Sequence, residues 1–388
     1  MPPRRRVFFL TASRAEYDLL APVARAVSCR EELQAGMVVA GAHLSPFHGM
    51  TIDLIREDGF PIEGIVESLL SSESWQGRAL SFAQLADGLT RLLASNRPDI
   101  LFIAGDREEA LAGAIVANFL GIAVAHSFGG DRCLASDLDE VLRPAISKLS
   151  HLHFAATEKH RERLIRMGEH PERIWTVGGT GLDRLRAAPD VPDEILNRKF
   201  GIDVRQPFFI VIQHPSSLLG AEQSGSEMEL VLHAVLSLEC PVFCSYPNFD
   251  PGNVAMRLAI DKVSAANPRL KVFHTFPRHE FVSLYRRCAA IVGNSSSIVI
   301  ESGFLKVPGI LVGPRQNPRE VGPNVMRVGF SADEISGACT RALKDQAFLR
   351  LVRESKSIYG DGHASEEIAR ILAEYALEPE VLRKVMAY

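Results

Sequence analysis

The sequence predicts an α/β protein made of two doubly wound, Rossmann-like domains. Three observations carry that prediction. Short apolar runs rich in β-branched residues alternate with segments of helical periodicity from Val7 onward. Each run ends in polar or charged residues, as parallel strands do where their carboxyl ends present ligand-binding loops. The alternation halts at Ala187-Ala188-Pro189-Asp190-Val191-Pro192-Asp193, where two prolines break the pattern, and it restarts beyond. The domains expected are 1–188 and 189–365, with 366–388 as a C-terminal helix packing back on the first.

Taken in order, Val7 to Leu10 reads as the first strand. Thr11-Ala12-Ser13-Arg14-Ala15-Glu16-Tyr17 then opens a helix patterned by Leu19, Leu20, Val23, Ala24 and Val27, which puts Arg14 at the strand's carboxyl edge. Met37 to Ala40 is a second strand, and Ala79 to Leu93 has helical spacing. Ile100 to Ala104 is a buried strand ending in Gly105-Asp106-Arg107-Glu108, before a small-residue helix from Ala110 to Leu120. Ile122 to Ala125 is the next strand, followed by His126-Ser127-Phe128-Gly129-Gly130-Asp131. After the linker, Phe208 to Ile212 is a strand ending at Gln213-His214-Pro215. Leu230 to Leu238 is helical, Val242 to Ser245 a strand, Val254 to Ala265 a helix, and Glu366 to Ala376 the last helix. Two such domains facing across a cleft is the glycosyltransferase-B architecture.

The most legible stretch runs from Ala289 to Val312. Ala289 to Val292 is a buried strand, Gly293-Asn294 breaks it, and Ser295-Ser296-Ser297 sit where a helix begins, small hydroxyl residues being good N-caps. Glu301 follows about one turn later, and Ile310-Leu311-Val312 is the next strand. Such a turn offers backbone N–H groups and hydroxyls to phosphate, with a carboxylate in reach of a ribose diol. Arg315-Gln316-Asn317-Pro318-Arg319 follows directly, two arginines able to clamp a doubly charged group.

Composition sets the bounds. The 388 residues suffice for two domains, and 46% hydrophobic with 23% charged residues is a soluble globular balance. A net charge of −4 gives no global positive field, so neither nucleic acid nor an anionic membrane is an expected partner. The six cysteines are Cys29, Cys133, Cys240, Cys244, Cys288 and Cys339; only Cys240 and Cys244 are close, without a second Cys/His pair for zinc. Met1-Pro2-Pro3-Arg4-Arg5-Arg6 opens like a signal peptide, but Val7 to Leu10 is too short for its apolar core. No run approaches the roughly 20 apolar residues of a membrane span. A cytoplasmic enzyme with reduced thiols, no metal and no cofactor is expected.

With these segments placed, the chain resembles the UDP-N-acetylglucosamine 2-epimerases, and more closely their hydrolysing, sialic-acid-pathway branch. The matching residues are Ser13-Arg14-Ala15-Glu16-Tyr17, Gly105-Asp106-Arg107, Gly129-Gly130-Asp131, Ile146 to Phe154, Gln213-His214-Pro215, Gly293 to Ser297, Arg315-Gln316 with Arg319-Glu320, and Tyr359-Gly360-Asp361-Gly362. They span nearly the whole chain in order. The resemblance implies that Arg14, Ser295, Ser296, Ser297, Arg315 and Arg319 hold a diphosphate and Glu301 the ribose. It implies catalytic roles for Asp106 and Asp131, places His214 against the sugar-phosphate, and leaves Asp139 and Glu140 as alternatives for a further carboxylate near Arg143 and Asp137. In that family the C2 proton leaves as the nucleoside diphosphate departs from C1, and water attacks the resulting glycal. The implied partner is a UDP-linked sugar, and the chain is expected to form a homo-oligomer, dimer or tetramer.

Three departures lie on the sugar side of that pattern: Phe128 and Pro144 stand where relatives carry polar residues, and the loop between Asp131 and Arg143 is longer. They imply retained nucleotide-sugar binding with altered sugar specificity or altered chemistry, a change of specificity favouring a 6-deoxy or 4-acetamido sugar. The first reading is a hydrolysing 2-epimerase of UDP-N-acetylglucosamine or a 2,4-diacetamido relative, releasing UDP and the free 2-epimeric sugar. A glycosyltransferase on the same scaffold, with an acceptor replacing water, is the alternative, and a nucleotide-sugar-binding regulator the third. Each carries a plainer counterpart. Asp106 can be a helix cap, His214 a loop residue, and Asp137, Asp139 and Glu140 an acidic first turn. His151 and His153 read as structural, and Phe273 and Phe276 as core rather than base-stacking residues.

Overall fold

The computed structural model describes residues 3–388 apart from 71, 73, 134–137, 216–220, 249–250 and 274–275. The chain divides into two compact units. Unit 1 comprises Met1–Asp131, Leu138–Arg184 and Gly360–Tyr388, and unit 2 is built on Leu185–Tyr359.

Unit 1 holds a seven-stranded sheet. Its strands are β1 (Arg5–Thr11), β2 (Leu33–Ala40), β3 (Ile62–Val66), β4 (Ile100–Ala104), β5 (Ala123–Ser127), β6 (Leu152–Ala155) and β7 (Ile174–Thr176). All neighbours pair parallel, in the order β3-β2-β1-β4-β5-β6-β7. Parallel strands need crossover helices on both faces, which is why β1 and β4 are apolar on both sides, from Val7 to Phe9 and from Ile100 to Ile103. Phe9 pairs in register with Phe102, and Phe154 with Trp175. The small Ala125 in register with Phe102 lets the rings of Phe102 and Phe154 stack at 5.7 Å between centroids.

The last helix, Ala364–Glu374, packs on Arg14–Ser28 within this unit, contributing Ile368 and Leu372 to the same core as Val7 and Phe9. Its start is capped from a distance. The buried Asp183 carboxylate accepts from the backbone N–H groups of Ala364 (3.2 Å) and Ser365 (2.6 Å), so a helix beginning with no side-chain cap of its own gains one.

Unit 2 holds β8 (Phe209–Ile212), β9 (Val242–Ser245), β10 (Leu270–Phe273), β11 (Ala290–Gly293), β12 (Gly309–Val312) and β13 (Val325–Val328), again all parallel. Their order, β10-β9-β8-β11-β12-β13, repeats that of the first six strands of unit 1. In such sheets the order reverses beside the first strand, and ligands bind beyond the carboxyl ends there. The reversal falls between β1 and β4 in unit 1, and between β8 and β11 in unit 2.

The proline-rich stretch after residue 186 is docked rather than loose. Arg287 pairs with Asp190 and with Asp193 at 2.8 Å each, and Val191 N–H donates to Ser283 Oγ at 2.9 Å. The division of the chain accordingly falls between Arg184 and Leu185, just before it. Phe273 and Phe276 are half-buried and stack on each other at 4.1 Å between centroids, with Phe281 beside Phe273 at 6.4 Å and Phe200 edge-on to Phe276 at 4.8 Å.

Candidate active site

In unit 2 the predicted residues converge on the reversal point. Gly293 ends β11 at φ 133°, and a Cβ there would lie 2.1 Å from the Ile212 carbonyl, so only glycine lets β11 pass this close to β8. The next residue joins the two loops. Asn294 Oδ1 accepts from His214 N–H at 2.7 Å, and Asn294 Nδ2 donates to the His214 carbonyl at 2.8 Å. His214 Nδ1 in turn accepts from Asn248 N–H at 3.2 Å, which leaves the proton of a neutral ring on Nε2.

Ser295 is the N-cap of the helix Ser296–Ile300, its Oγ accepting from Ser297 N–H. That helix is only five residues long and runs into the turn Ser302–Leu305, so its dipole is weaker than the sequence suggested. Hydroxyls, backbone N–H groups and arginines are what this turn has to offer an anion. Ser296 is exposed; Ser297 Oγ donates to Glu301 Oε2 at 2.7 Å, one turn on. Glu301 also pairs with Arg278 at 3.3 Å. The loop after β12 closes against this turn: Gln316 Nε2 donates to the Asn294 carbonyl at 3.0 Å, and Arg319 donates to Gln316 Oε1 at 2.8 Å. Arg315 and Arg319, both half-buried, thus flank a buried glutamine that ties their loop to the serine turn.

In unit 1 the residues gather at the ends of β1, β4 and β5. Ser13 caps the helix Arg14–Ser28, leaving Arg14 exposed at its first position. Glu16 completes a capping box, its carboxyl accepting from Ala12 N–H at 2.9 Å. Burial and the charge of Glu109 push this carboxyl up to about 7, against the pull of Arg107. Asp106, just past β4, is held by Arg143 in a close ion pair, and Arg143, almost wholly buried, also donates to the Phe128 carbonyl at 3.1 Å. Phe128 is in the left-handed region at φ 65° with its ring buried, so its backbone carbonyl is what it brings to this pair. Arg143 comes from the helix Asp139–Leu149, with Glu140 half-buried in its first turn and Pro144 exposed in its middle. Asp137 and the side chain of Asp139 lie outside the described residues.

Asp131 sits deeper than a strand-edge residue should. Its side chain is 1% exposed and stands 3.3 Å from Nε2 of His160, itself fully buried. Gly130 makes this possible: at φ 77°, a Cβ would strike the His160 carbonyl at 2.2 Å. His126, at the end of β5, binds the Gly105 carbonyl at 2.8 Å through Nε2 and is kept neutral by burial, its value pulled down to about 3. His151 and His153 are buried within unit 1, His153 bonding Glu169 at 2.9 Å.

The sequence thus places Arg14, Asp106, His214 and the serines just past strand carboxyl ends, while Glu140 lies on a helix and Glu301 at the end of one, and it leaves most of the groups that hold them unread. Arg143 could have been found as a base one turn beyond an acidic start. Asn294 and His160 carry no local signal, since each acts across a long separation in the chain. Among the described residues, no three His, Cys, Asp or Glu side chains converge on a point that could hold a metal ion.

Two doubly wound parallel units, with a serine turn and two arginines in one and an arginine-held Asp106 and a buried Asp131 in the other, define a glycosyltransferase-B-type nucleotide-sugar protein. The chain belongs to the UDP-N-acetylglucosamine 2-epimerase family, whose model matches residues 25–373. It is 33% identical over 384 residues to the UDP-N,N'-diacetylbacillosamine 2-epimerase (hydrolyzing) of Legionella pneumophila, covering 99% of this chain and 100% of that one. The GDP/UDP-N,N'-diacetylbacillosamine 2-epimerase (hydrolyzing) of Campylobacter jejuni is 27% identical over 322 residues, 81% of this chain and 82% of its own. Among solved structures, the UDP-GlcNAc 2-epimerase of Neisseria meningitidis bound to UDP-GlcNAc matches with a TM-score of 0.82, covering 95% of this chain and 99% of that one at 18% identity.

Proposed function

We propose that this protein is a hydrolysing 2-epimerase of a UDP-linked 2,4-diacetamido hexose of the diacetylbacillosamine kind, with UDP-N-acetylglucosamine as the poorer substrate. The full-length likeness to the Legionella enzyme carries the reading. In it, Ser295, Ser296, Ser297, Arg315, Arg319 and Arg14 hold the diphosphate, and Glu301 the ribose. His214, its ring oriented by Asn248, serves the sugar-phosphate end.

The chemistry divides between the carboxylates. One of Asp106, Asp131 and Glu140 removes the C2 proton while UDP leaves C1, and the glycal so formed takes up water, its hydroxyl going to C1 and a proton to C2 on the opposite face. Arg143 fixes the place of the Asp106 carboxylate, and the His160 imidazole stands 3.3 Å from the Asp131 carboxylate. Nucleotide sugars of this class belong to the cytoplasm, and six free thiols suit a reducing compartment. A homo-oligomer accompanies this reading, to be tested by light scattering.

The test is incubation with UDP-, GDP- and CMP-sugars in D2O, with products identified by NMR. The expected outcome is UDP and a free sugar inverted at C2 and carrying deuterium there. Turnover only after an acceptor is added would move the assignment to a glycosyltransferase.

A further inference from the structure

Unit 1 contains a pocket of about 350 Å³ that none of the roles above uses. One wall is a single face of the helix Trp75–Ser95, where Trp75, Arg78, Phe82 and Leu85 recur at helical spacing. The other is the segment carrying Leu69 and Leu70. The floor is the start of the helix Glu108–Phe119, so the pocket opens beside the residue that follows Asp106. Its volume is that of a small-ligand site, room for a substituted hexose.

The charges in the lining cancel. Arg78 makes two bonds to Glu108, at 2.6 and 2.7 Å, and Arg107 makes two to Glu109, at 3.1 and 3.3 Å. An anion entering would have to break one of these pairs, so the pocket does not suit a phosphate or carboxylate. Yet its rim is apolar and open: Trp75 is 66% exposed and Leu69 43%. An exposed indole in one lining with Leu69, Leu70 and serine side chains suits a neutral group with methyls and amides.

We propose that this pocket receives the neutral acylamino-deoxy end of the substrate sugar, and that Trp75 and Phe82 select 4-acetamido and 6-methyl groups over hydroxyls. The inference rests on the proposed function for the nucleotide-sugar class and adds the residues that choose the sugar. Selection of this kind by apolar contact is modest, roughly 10- to 200-fold.

The test measures affinity by calorimetry in the Asp106→Asn protein, where turnover does not interfere. The ligands are UDP, UDP-N-acetylglucosamine and its 2,4-diacetamido-2,4,6-trideoxy relative. Trp75→Ala should weaken the diacetamido sugar about tenfold and UDP less than twofold, and Trp75→Phe should recover most of the loss. The exposed Trp75 can be replaced without disturbing the fold, and kcat/KM in the otherwise wild-type protein should show the same bias. Equal losses for all three ligands, or none for any, would overturn the pocket assignment. If Trp75→Ala discriminates in binding while the wild type releases UDP from neither sugar, the pocket stands and the epimerase reading fails.

Discussion

Residues that bind and residues that react should respond differently to substitution. Ser296 and Arg315 belong to the serine turn and its clamp, where the proposed partner is a ground-state diphosphate. Ser296→Ala and Arg315→Ala should each weaken UDP by about 1.5–3 kcal/mol while leaving the melting temperature nearly unchanged. Calorimetry with UDP alone decides it; unchanged affinity in both variants would remove the turn from the site. Asp106→Asn should do the reverse, keeping UDP affinity within a few-fold and abolishing UDP release from the nucleotide sugar. Replacing the carboxylate also leaves Arg143 buried without its counter-charge, so some stability should be lost as well. At this scale the sequence is legible where function needs a chemical type at a strand end, as at Asp106, His214 and Ser295. It is mute where a residue matters through a contact tens of positions away in the chain, as Asn294 on His214, Arg143 on Asp106 and His160 on Asp131 do.

Among the elements, the helix Asp139–Leu149 has unusual support. Pro144 in its middle has no N–H, so the helix loses one backbone bond. Its far end is held by the C-terminal segment: Lys384 Nζ donates to the carbonyls of Ser147, Lys148 and Ser150 at 2.9, 2.8 and 2.6 Å. Lys384 also meets Glu169 at 2.6 Å, a carboxylate that burial alone would raise but that His153, Lys148 and Lys384 together hold down to about 2. Lys384→Met should therefore cost about 2–3 kcal/mol of stability, read from urea unfolding. Because the same helix carries Arg143, kcat should fall further than UDP affinity does. The central strands β1, β4, β8, β9 and β11 are legible as apolar runs because both of their faces are covered. The edge strands β3 and β13 are not: their residues are mostly half-buried, and mixed sequences such as Ile62-Glu63-Gly64-Ile65-Val66 satisfy an edge without announcing it.

For the whole molecule, buried histidines set the acid limit. Burial pulls His43 down to about 4, His126 to about 3 and His151 to about 4, so each stays neutral in the folded state while the unfolded chain would protonate it near 6.5. The unfolded state then binds more protons below that value, and stability is present above pH 6.5 and lost as the pH falls toward 4. His43 and His151 are each worth about 3 kcal/mol by the time the folded value is reached, and His126 more. Glu16, raised to about 7, works the other way, its contribution being lost as the pH rises from 4.5 through 7. With three groups against one, the melting temperature should drop steeply between pH 6.5 and 4.5. Trp75 and Trp175 both lie in unit 1, as do all three histidines, so tryptophan fluorescence reports the unit concerned. A flat profile over that range would contradict the burial of these rings. The architecture itself was readable from alternation alone. The discontinuity is expected from 366 onward, and unit 1 takes up Gly360–Tyr388.

That discontinuity has a consequence for how the chain is born. The first stretches of unit 1 leave the ribosome first, yet Ile368 and Leu372, which close its core, are made only after Leu185–Tyr359 of unit 2. Unit 2 lies almost wholly in one continuous span and can finish folding while its elder neighbour still waits for its final helix and the Lys384 strap. Until then the face of Arg14–Ser28 that Ala364–Glu374 will cover is bare apolar surface, and the nascent protein stays open to aggregation throughout the synthesis of unit 2.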